Sequence, residues 1–217
     1  MEKQPQTPIA VDRLVTIGVD IQNDFITGSL AVNEGAEVVR PMNDVMRYTR
    51  EQDGVVALTR DWHPESTAHF DTWPVHCVEQ TEGAALHPEL DQQPEDIIIS
   101  KGTSQIDDGY SGFEGQADDG TTLEQLIQPK TLRERVGVLI GGLATDFCVK
   151  ATMLDGIREF KDTPNVHFAL IQDAVRGVDL QPGDSEKALQ EMATNGAIFT
   201  QSEAVLANEV FVVERNN

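Results

Sequence analysis

A three-layer α/β/α sandwich built on a mainly parallel six-stranded sheet is the fold the sequence predicts. Three observations predict it: six short β-branched runs recur along the chain, the runs are near-continuously apolar, and stretches with helical spacing separate several of them. Near-continuous apolarity marks strands covered on both faces, as in parallel sheets flanked by crossover helices. The first run is LVTIGVD (14–20). It is followed by EGAEVVRPMNDVMRYTREQD, in which Val38, Met42, Val45 and Met46 share one helical face. Pro41 lies inside this stretch and is expected to kink its first turns, because its ring removes a backbone donor. VVALTR (55–60) and DIIIS (96–100) are the second and third strands. VGVLIGG (136–142) is the fourth, and TDFCVKATMLDGIREF then repeats a helical spacing through Val149, Met153, Leu154 and Ile157. After the fifth strand, VHFALIQD (166–173), the segment DSEKALQEMATNGA reads as a helix with an Asp-Ser start and a Gly stop. AIFTQ (197–201) is the last strand. Such alternation implies right-handed crossovers.

A length of 217 residues suits a single domain over 1–217, with 1–12 expected to be a frayed leader because MEKQPQTP is polar and Pro-containing. The longest apolar run, 136–144, is far short of the roughly 20 residues of a membrane span, and no signal-peptide pattern opens the chain, so the expectation is a cytoplasmic protein. Net charge is −21, a field that repels phosphate backbones and anionic membranes. Nucleic acid and membrane are therefore excluded as partners, and a small neutral or cationic ligand is retained. Self-association into a homo-oligomer is left open. Only 6 of the 16 basic residues are lysine; solubility through net charge explains this, and a salt-rich habitat is the alternative. The two cysteines, Cys77 and Cys148, are expected to be free thiols.

Two segments break the alternation. Residues 61–95 and 102–121 are long and polar, and both leave the C-terminal end of a strand, where open α/β sheets bind ligands. Four of the five histidines fall between 63 and 87, with Trp73 among them and Trp62 just before. Asp61 and His63 on extended chain point the same way, and His69 and His76 follow closely. A carboxylate with imidazoles is a donor set typical of divalent zinc, iron or manganese, so Asp61, His63, His69 and His76 are candidate metal ligands. His87 precedes a proline and is expected to be structural. Cys148 is expected in the first turn of a helix, where N–H groups and the helix dipole favour thiolate and can hold an oxyanion. Position alone is equally compatible with an inert buried thiol. Cys77 lacks any helix-start signal and reads as packing. Asp20, at the end of an apolar strand, is the natural base for a thiol nucleophile, whereas Asp24 reads as a cap. Lys101 closes a buried strand, where an ammonium needs an anion to offset its desolvation. The signatures G-x-G-x-x-G, G-x-x-x-x-G-K-[ST], G-x-S-x-G and C-x-x-C are absent.

Taken together, VDIQNDF (19–25), TRDWHP (59–64), WPVHCVEQTEGAALHP (73–88), KGT (101–103), GYSGFEG (109–115), GGLATDFCVKAT (141–152) and DAVRGV (173–178) resemble the cysteine hydrolases that include isochorismatases and nicotinamidases. The likeness covers nearly the whole chain. The Asp-x-His and WPxHC elements resemble nicotinamidases in particular. This resemblance implies an Asp20, Lys101, Cys148 catalytic triad, one divalent metal on Asp61, His63 and His76 with His69 as a fourth ligand found in part of the family, and zinc as the ion. It also implies an oxyanion hole from the Ala144 and Cys148 N–H groups beside a cis Leu143-Ala144 peptide, and Phe25, Trp73 and Tyr110 facing the substrate. The implied activity is hydrolysis of nicotinamide to nicotinate and ammonia through a cysteine thioester. Another small amide, or isochorismate, is the alternative within the same fold, and a silent scaffold or a thiol redox sensor the alternatives outside it. Phe147 beside the nucleophile and the acidic pair before Gly109 depart from the family pattern.

Overall fold

The computed structural model describes residues 7–106 and 108–214. In chain order its strands are β1 (Ile9–Val11), β2 (Arg13–Val19), β3 (Val55–Asp61), β4 (Ile97–Lys101), β5 (Val136–Leu143), β6 (Val166–Arg176), β7 (Ile198–Thr200) and β8 (Phe211–Val213). The helices are α1 (Asn23–Ile26), α2 (Val39–Glu51), α3 (Leu123–Ile127), α4 (Lys150–Glu159), α5 (Asp184–Thr194) and α6 (Ser202–Leu206). Six strands form one sheet in the order β4-β3-β2-β5-β6-β7, and each neighbouring pair is parallel.

Side chains alternate across this sheet, so one strand feeds two cores. Leu14 and Leu139 pack with Met42, Val45 and Met46 of α2. Val15, Ile17, Val138 and Ile140 pack on the other face with Met153 of α4 and Met192 of α5. Each such side chain contributes about 1.5–3 kcal/mol when fully removed from water. Pro41 falls in the first turn of α2, where a missing N–H is best tolerated, and a 3₁₀ turn over Gly35–Val38 leads into the helix.

One expectation is corrected. The stretch 1–12 is not all frayed leader: β1 pairs in parallel with β8, Ile9 opposite Phe211, and Arg135 joins the flanks by binding Asp12 at 2.8 Å and Glu214 at 2.9 Å. Residues 1–6 lie outside the described chain. Between the strands that end at Asp20 and Lys101 runs β3, which places Asp61 between those two residues. The short α3 and α6 carry too few residues to show a periodicity. Among the described residues, no helix is long and apolar enough to cross a membrane.

Candidate functional site

Three strand ends at the C-terminal edge, those of β2, β3 and β4, each deliver one charged group into the same buried space. Asp20 follows β2 in a left-handed conformation (φ +48°), and Thr59 Oγ1 of β3 donates to its Oδ1 at 2.6 Å. Lys101 ends β4 directly beside Asp61, its register partner on β3. Its Nζ lies 2.8 Å from Asp20 Oδ2, contacts Asp61 Oδ1, donates to Gly109 O at 2.5 Å, and sits 3.6 Å from Cys148 Sγ. One ammonium therefore serves two carboxylates and a thiol, all buried. Asp20, Asp61 and Cys148 hold donor atoms within 4.8 Å of one another.

Desolvation divides the protons unevenly among these groups. Burial pushes the Asp20 carboxyl up to about 6, with Lys101 pulling it partly back and Asp61 adding to the rise. Asp61 meets the same burial, yet Lys101 and His63 outweigh it and hold its carboxyl below the ordinary range. Burial also opposes the Lys101 ammonium, but Asp20 and Asp61 dominate and keep it charged well above the usual lysine range. Lys101 Nζ ion-pairs with Asp20 Oδ2 at 2.8 Å, and a carboxylate oxygen so engaged keeps a second lone pair for an incoming proton.

Cys148 lies in the first turn of the helical segment, as expected, although that turn is π-helical. Residues Thr145–Val149 form a π-helical turn that precedes α4, and Cys148 is its fourth residue. Burial pushes its thiol well above the ordinary value, against the pull of Lys101. The resting group is a thiol, not the thiolate expected from a helix N-terminus, because lost hydration outweighs a dipole effect of about 0.3–1 kcal/mol. The Leu143-Ala144 peptide is cis, and Ala144 O accepts the N–H groups of Phe147 and Val149, both at 3.1 Å.

The three imidazoles of His63, His69 and His76 bring one ring nitrogen each within 4.8 Å of the others. Asp61 Oδ2 lies 3.7 Å from His63 Nε2 and 3.8 Å from His76 Nε2. Because a carbonyl can only accept, His63 Nδ1 donates to Gly102 O at 2.9 Å and His76 Nδ1 to Pro74 O at 2.7 Å. Their Nε2 lone pairs therefore face Asp61, and His63 Nε2 is buried without a hydrogen-bond partner among the described residues. Burial, then His63 and His76, push His69 down to about 4, and burial likewise lowers His76. Buried imidazoles turned towards a carboxylate are the donor chemistry a divalent cation requires. His87 stands outside this group; its Nδ1 accepts from Glu89 N–H at 3.3 Å.

Gly102 makes room for that arrangement. It has φ +64°, and a Cβ there would meet His63 Cε1 at 2.4 Å. Gly102→Ala is therefore expected to displace His63 and weaken metal retention by about 10–100-fold, the usual cost of disturbing a ligand's support. Metal titration followed by stoichiometry on the folded variant measures this, and wild-type retention would refute it.

Above Cys148 lies a small, mainly apolar cavity of about 30 Å³, with Phe25, His69, Trp73, Tyr110 and Phe147 among its walls. Trp73 Nε1–H donates to Tyr110 OH at 2.9 Å, and Phe147 packs edge-on against Trp73 with centroids 5.0 Å apart. The wall's polar handles thus satisfy each other and leave flat aromatic faces. A larger open groove along α2, lined by Arg40, Asn43, Arg47 and Asp91, holds neither imidazole nor thiol.

The structure brings together Asp20, Asp61, His63, His69, His76, Lys101, Ala144 and Cys148, with Phe25, Trp73 and Tyr110 around them. Cys77 is buried at φ +45° with its thiol pushed up by burial, and both cysteines are free. Asp24 caps turns, as expected, accepting from Cys77 N–H at 2.7 Å and Ser29 N–H at 3.2 Å. Sequence reasoning missed Gln22, which clamps the Asp61 backbone by accepting its N–H at 2.8 Å and donating to its O at 2.9 Å. Thr59, Leu30 and Val178 were also missed. Their contacts join distant stretches, and only the positions of Gln22, Thr59 and Val178 inside VDIQNDF, TRDWHP and DAVRGV hinted at a role.

Residues 14–204 match the isochorismatase domain family. The chain is 34% identical over 203 residues to a nicotinamidase of Escherichia coli (strain K12), covering 82% of this chain and 90% of that one. A pyrazinamidase of Pyrococcus horikoshii, crystallised in complex with zinc, is 36% identical with a TM-score of 0.74, covering 87% of this chain and 99% of its own. An L. infantum protein crystallised in complex with nicotinate is 29% identical with a TM-score of 0.75, covering 96% and 99%.

Proposed function

The chain belongs to the isochorismatase domain family, and from that premise we propose that it is a nicotinamidase, hydrolysing nicotinamide to nicotinate and ammonia. The observation that carries the reading is a thiol, a carboxylate and an ammonium in mutual contact beneath an aromatic pocket that also exposes His69, His76 and Asp61. Aromatic walls suit the faces of a small planar amide, and the named relatives act on or hold this ring.

Asp20 accepts the Cys148 proton on its carboxylate, and the resulting thiolate attacks the carboxamide carbon. A C–S bond forms, and the carbonyl electrons move onto oxygen, where the Ala144 and Cys148 N–H groups stabilise them. The C–N bond then breaks, and Asp20 returns its proton to the leaving ammonia. Water cleaves the thioester: Asp20 takes its proton, nicotinate departs, and the proton returns to sulfur. Lys101 stays charged throughout and holds the Asp20 carboxyl in a useful range. Phe25, Trp73 and Tyr110 hold the ring faces, so orientation lowers the barrier by several kcal/mol, within the roughly 7–11 kcal/mol such effects reach.

Asp61, His63, His69 and His76 would hold a divalent ion, with zinc the first candidate because the Pyrococcus horikoshii relative was crystallised with it. When bound, it supplies a Lewis acid that anchors the lone pair of a ring nitrogen.

The test is ammonia release from nicotinamide by protein stripped of metal and then restored ion by ion. Release that disappears on stripping and returns with one divalent ion is expected; no release with any ion sinks the reading. The base role also has a pH signature. Asp20 must be ionised to accept the proton, so kcat/KM falls as pH drops through about 6 and is flat above it. A profile with no limb between pH 5 and 7 would assign the base elsewhere.

A further inference from the structure

One buried side chain unused by the proposed chemistry ties the Cys148 turn to a loop on the pocket wall. Asp146 lies two residues before Cys148, and its Oδ1 and Oδ2 accept the backbone N–H groups of Val178 at 2.9 Å and Asp179 at 2.8 Å. An acidic residue in a first helical turn ordinarily answers the helix dipole. Here both oxygens are engaged by another loop, through charge-assisted hydrogen bonds of the stronger class.

That loop forms part of the pocket. Val178 lines it together with Phe25, Leu30, Trp73 and Cys148. Its flanks are anchored elsewhere: Arg176 pairs with Glu37 and lies 3.6 Å from Glu34, while the Asp179 carboxylate accepts the Ser185 N–H and Oγ–H, each at 2.8 Å. Gly177 packs so tightly that a Cβ would meet Ser185 Oγ at 1.7 Å. These flanking contacts fix the loop to α5 and to the Gly35–Val38 turn, whereas the Asp146 contacts fix it to the turn bearing the thiol.

We propose that Asp146 is a positioning residue that sets the gap between Cys148 and the Val178 wall, and so selects flat, unsubstituted aromatic amides. The substrate class rests on the nicotinamidase reading; the positioning does not. Loss of the carboxylate frees two amides and lets Val178 move, while the contacts of Lys101 with Asp20 and Cys148 do not involve it. Grip on the ring is shared by ground and transition states, so its loss registers in KM rather than kcat.

The test compares full-length, metal-loaded wild type with Asp146→Ala, Asp146→Asn and Val178→Ala. Asp146→Ala and Val178→Ala should each raise KM for nicotinamide about tenfold with kcat within about threefold. Asp146→Asn, whose amide oxygen can still accept one N–H, should fall between. The kcat/KM ratio of 5-methylnicotinamide to nicotinamide should rise about fivefold in Asp146→Ala, a one-methyl effect in a loosened pocket. A fall in kcat at unchanged KM is the mark of lost folded enzyme and overturns the proposal.

A second readout needs no turnover: Cys148 alkylation by iodoacetamide against the bulkier N-phenylmaleimide, with the adduct located by peptide mass. The bulky-to-small rate ratio should rise about tenfold in Asp146→Ala, as access to a thiol controls its rate. An unchanged ratio overturns the proposal. Wild type that releases no ammonia, with the ratio still shifting in the variant, overturns the substrate reading and supports the positioning role.

Discussion

Cys148→Ala is expected to abolish ammonia release from nicotinamide while leaving ring binding nearly intact. The thiol is the proposed nucleophile, and loss of such a group commonly costs about 10⁴-fold or more in kcat. Ring binding depends instead on the walls Phe25, Trp73 and Tyr110 and on the imidazole cluster, none of which Cys148 holds in place. Nicotinate titrated into the variant and followed by tryptophan fluorescence should give a Kd within about threefold of wild type, a difference below roughly 0.7 kcal/mol. Trp73 makes the signal local. Multiple-turnover ammonia release by the variant above the rate of its metal alone would eliminate the thioester route.

Lys101→Met should be the most destabilising single change at the site. It removes the cation between Asp20 and Asp61 and leaves two buried carboxylates, where breaking a buried pair typically costs about 3–5 kcal/mol. Lys101 is also the main influence that lowers the Asp20 pKa. Without it the Asp20 carboxyl rises further, so any residual activity should show its acid limb displaced to higher pH. Denaturant unfolding measures the first effect and the kcat/KM profile the second. Lys101→Met combined with Asp20→Asn should recover part of the stability, because one unpaired carboxylate disappears. A single-variant loss below about 1 kcal/mol would show that the ammonium does not neutralise the pair as described.

Much of this site was legible along the chain because the residues sit where apolar runs stop. A buried strand that ends in Asp or Lys announces a charge with few places to go, and Asp20, Asp61 and Lys101 each occupy such an end. The crowding of His63, His69 and His76 near Asp61 was equally local. The β1–β8 pairing was not legible: two three-residue strands about 200 positions apart carry no periodicity, so polar composition around residue 5 suggested a frayed end instead. Nor could the hydrogen bonds of Gln22 and Asp146 be read, since their partners are dozens of residues away.

Composition and order alone determined the layered α/β architecture, the family likeness and the inventory of reactive groups. The tertiary structure decided who holds the protons. Cys148, which its position recommended as a thiolate, is a thiol at rest; of two carboxylates sharing Lys101, Asp61 stays ionised and Asp20 titrates near 6. Helical spacing and hydrophobic period are properties of neighbours along the chain. Desolvation and Coulomb energy depend on burial and on distance through space, and those exist only once the strand ends have met.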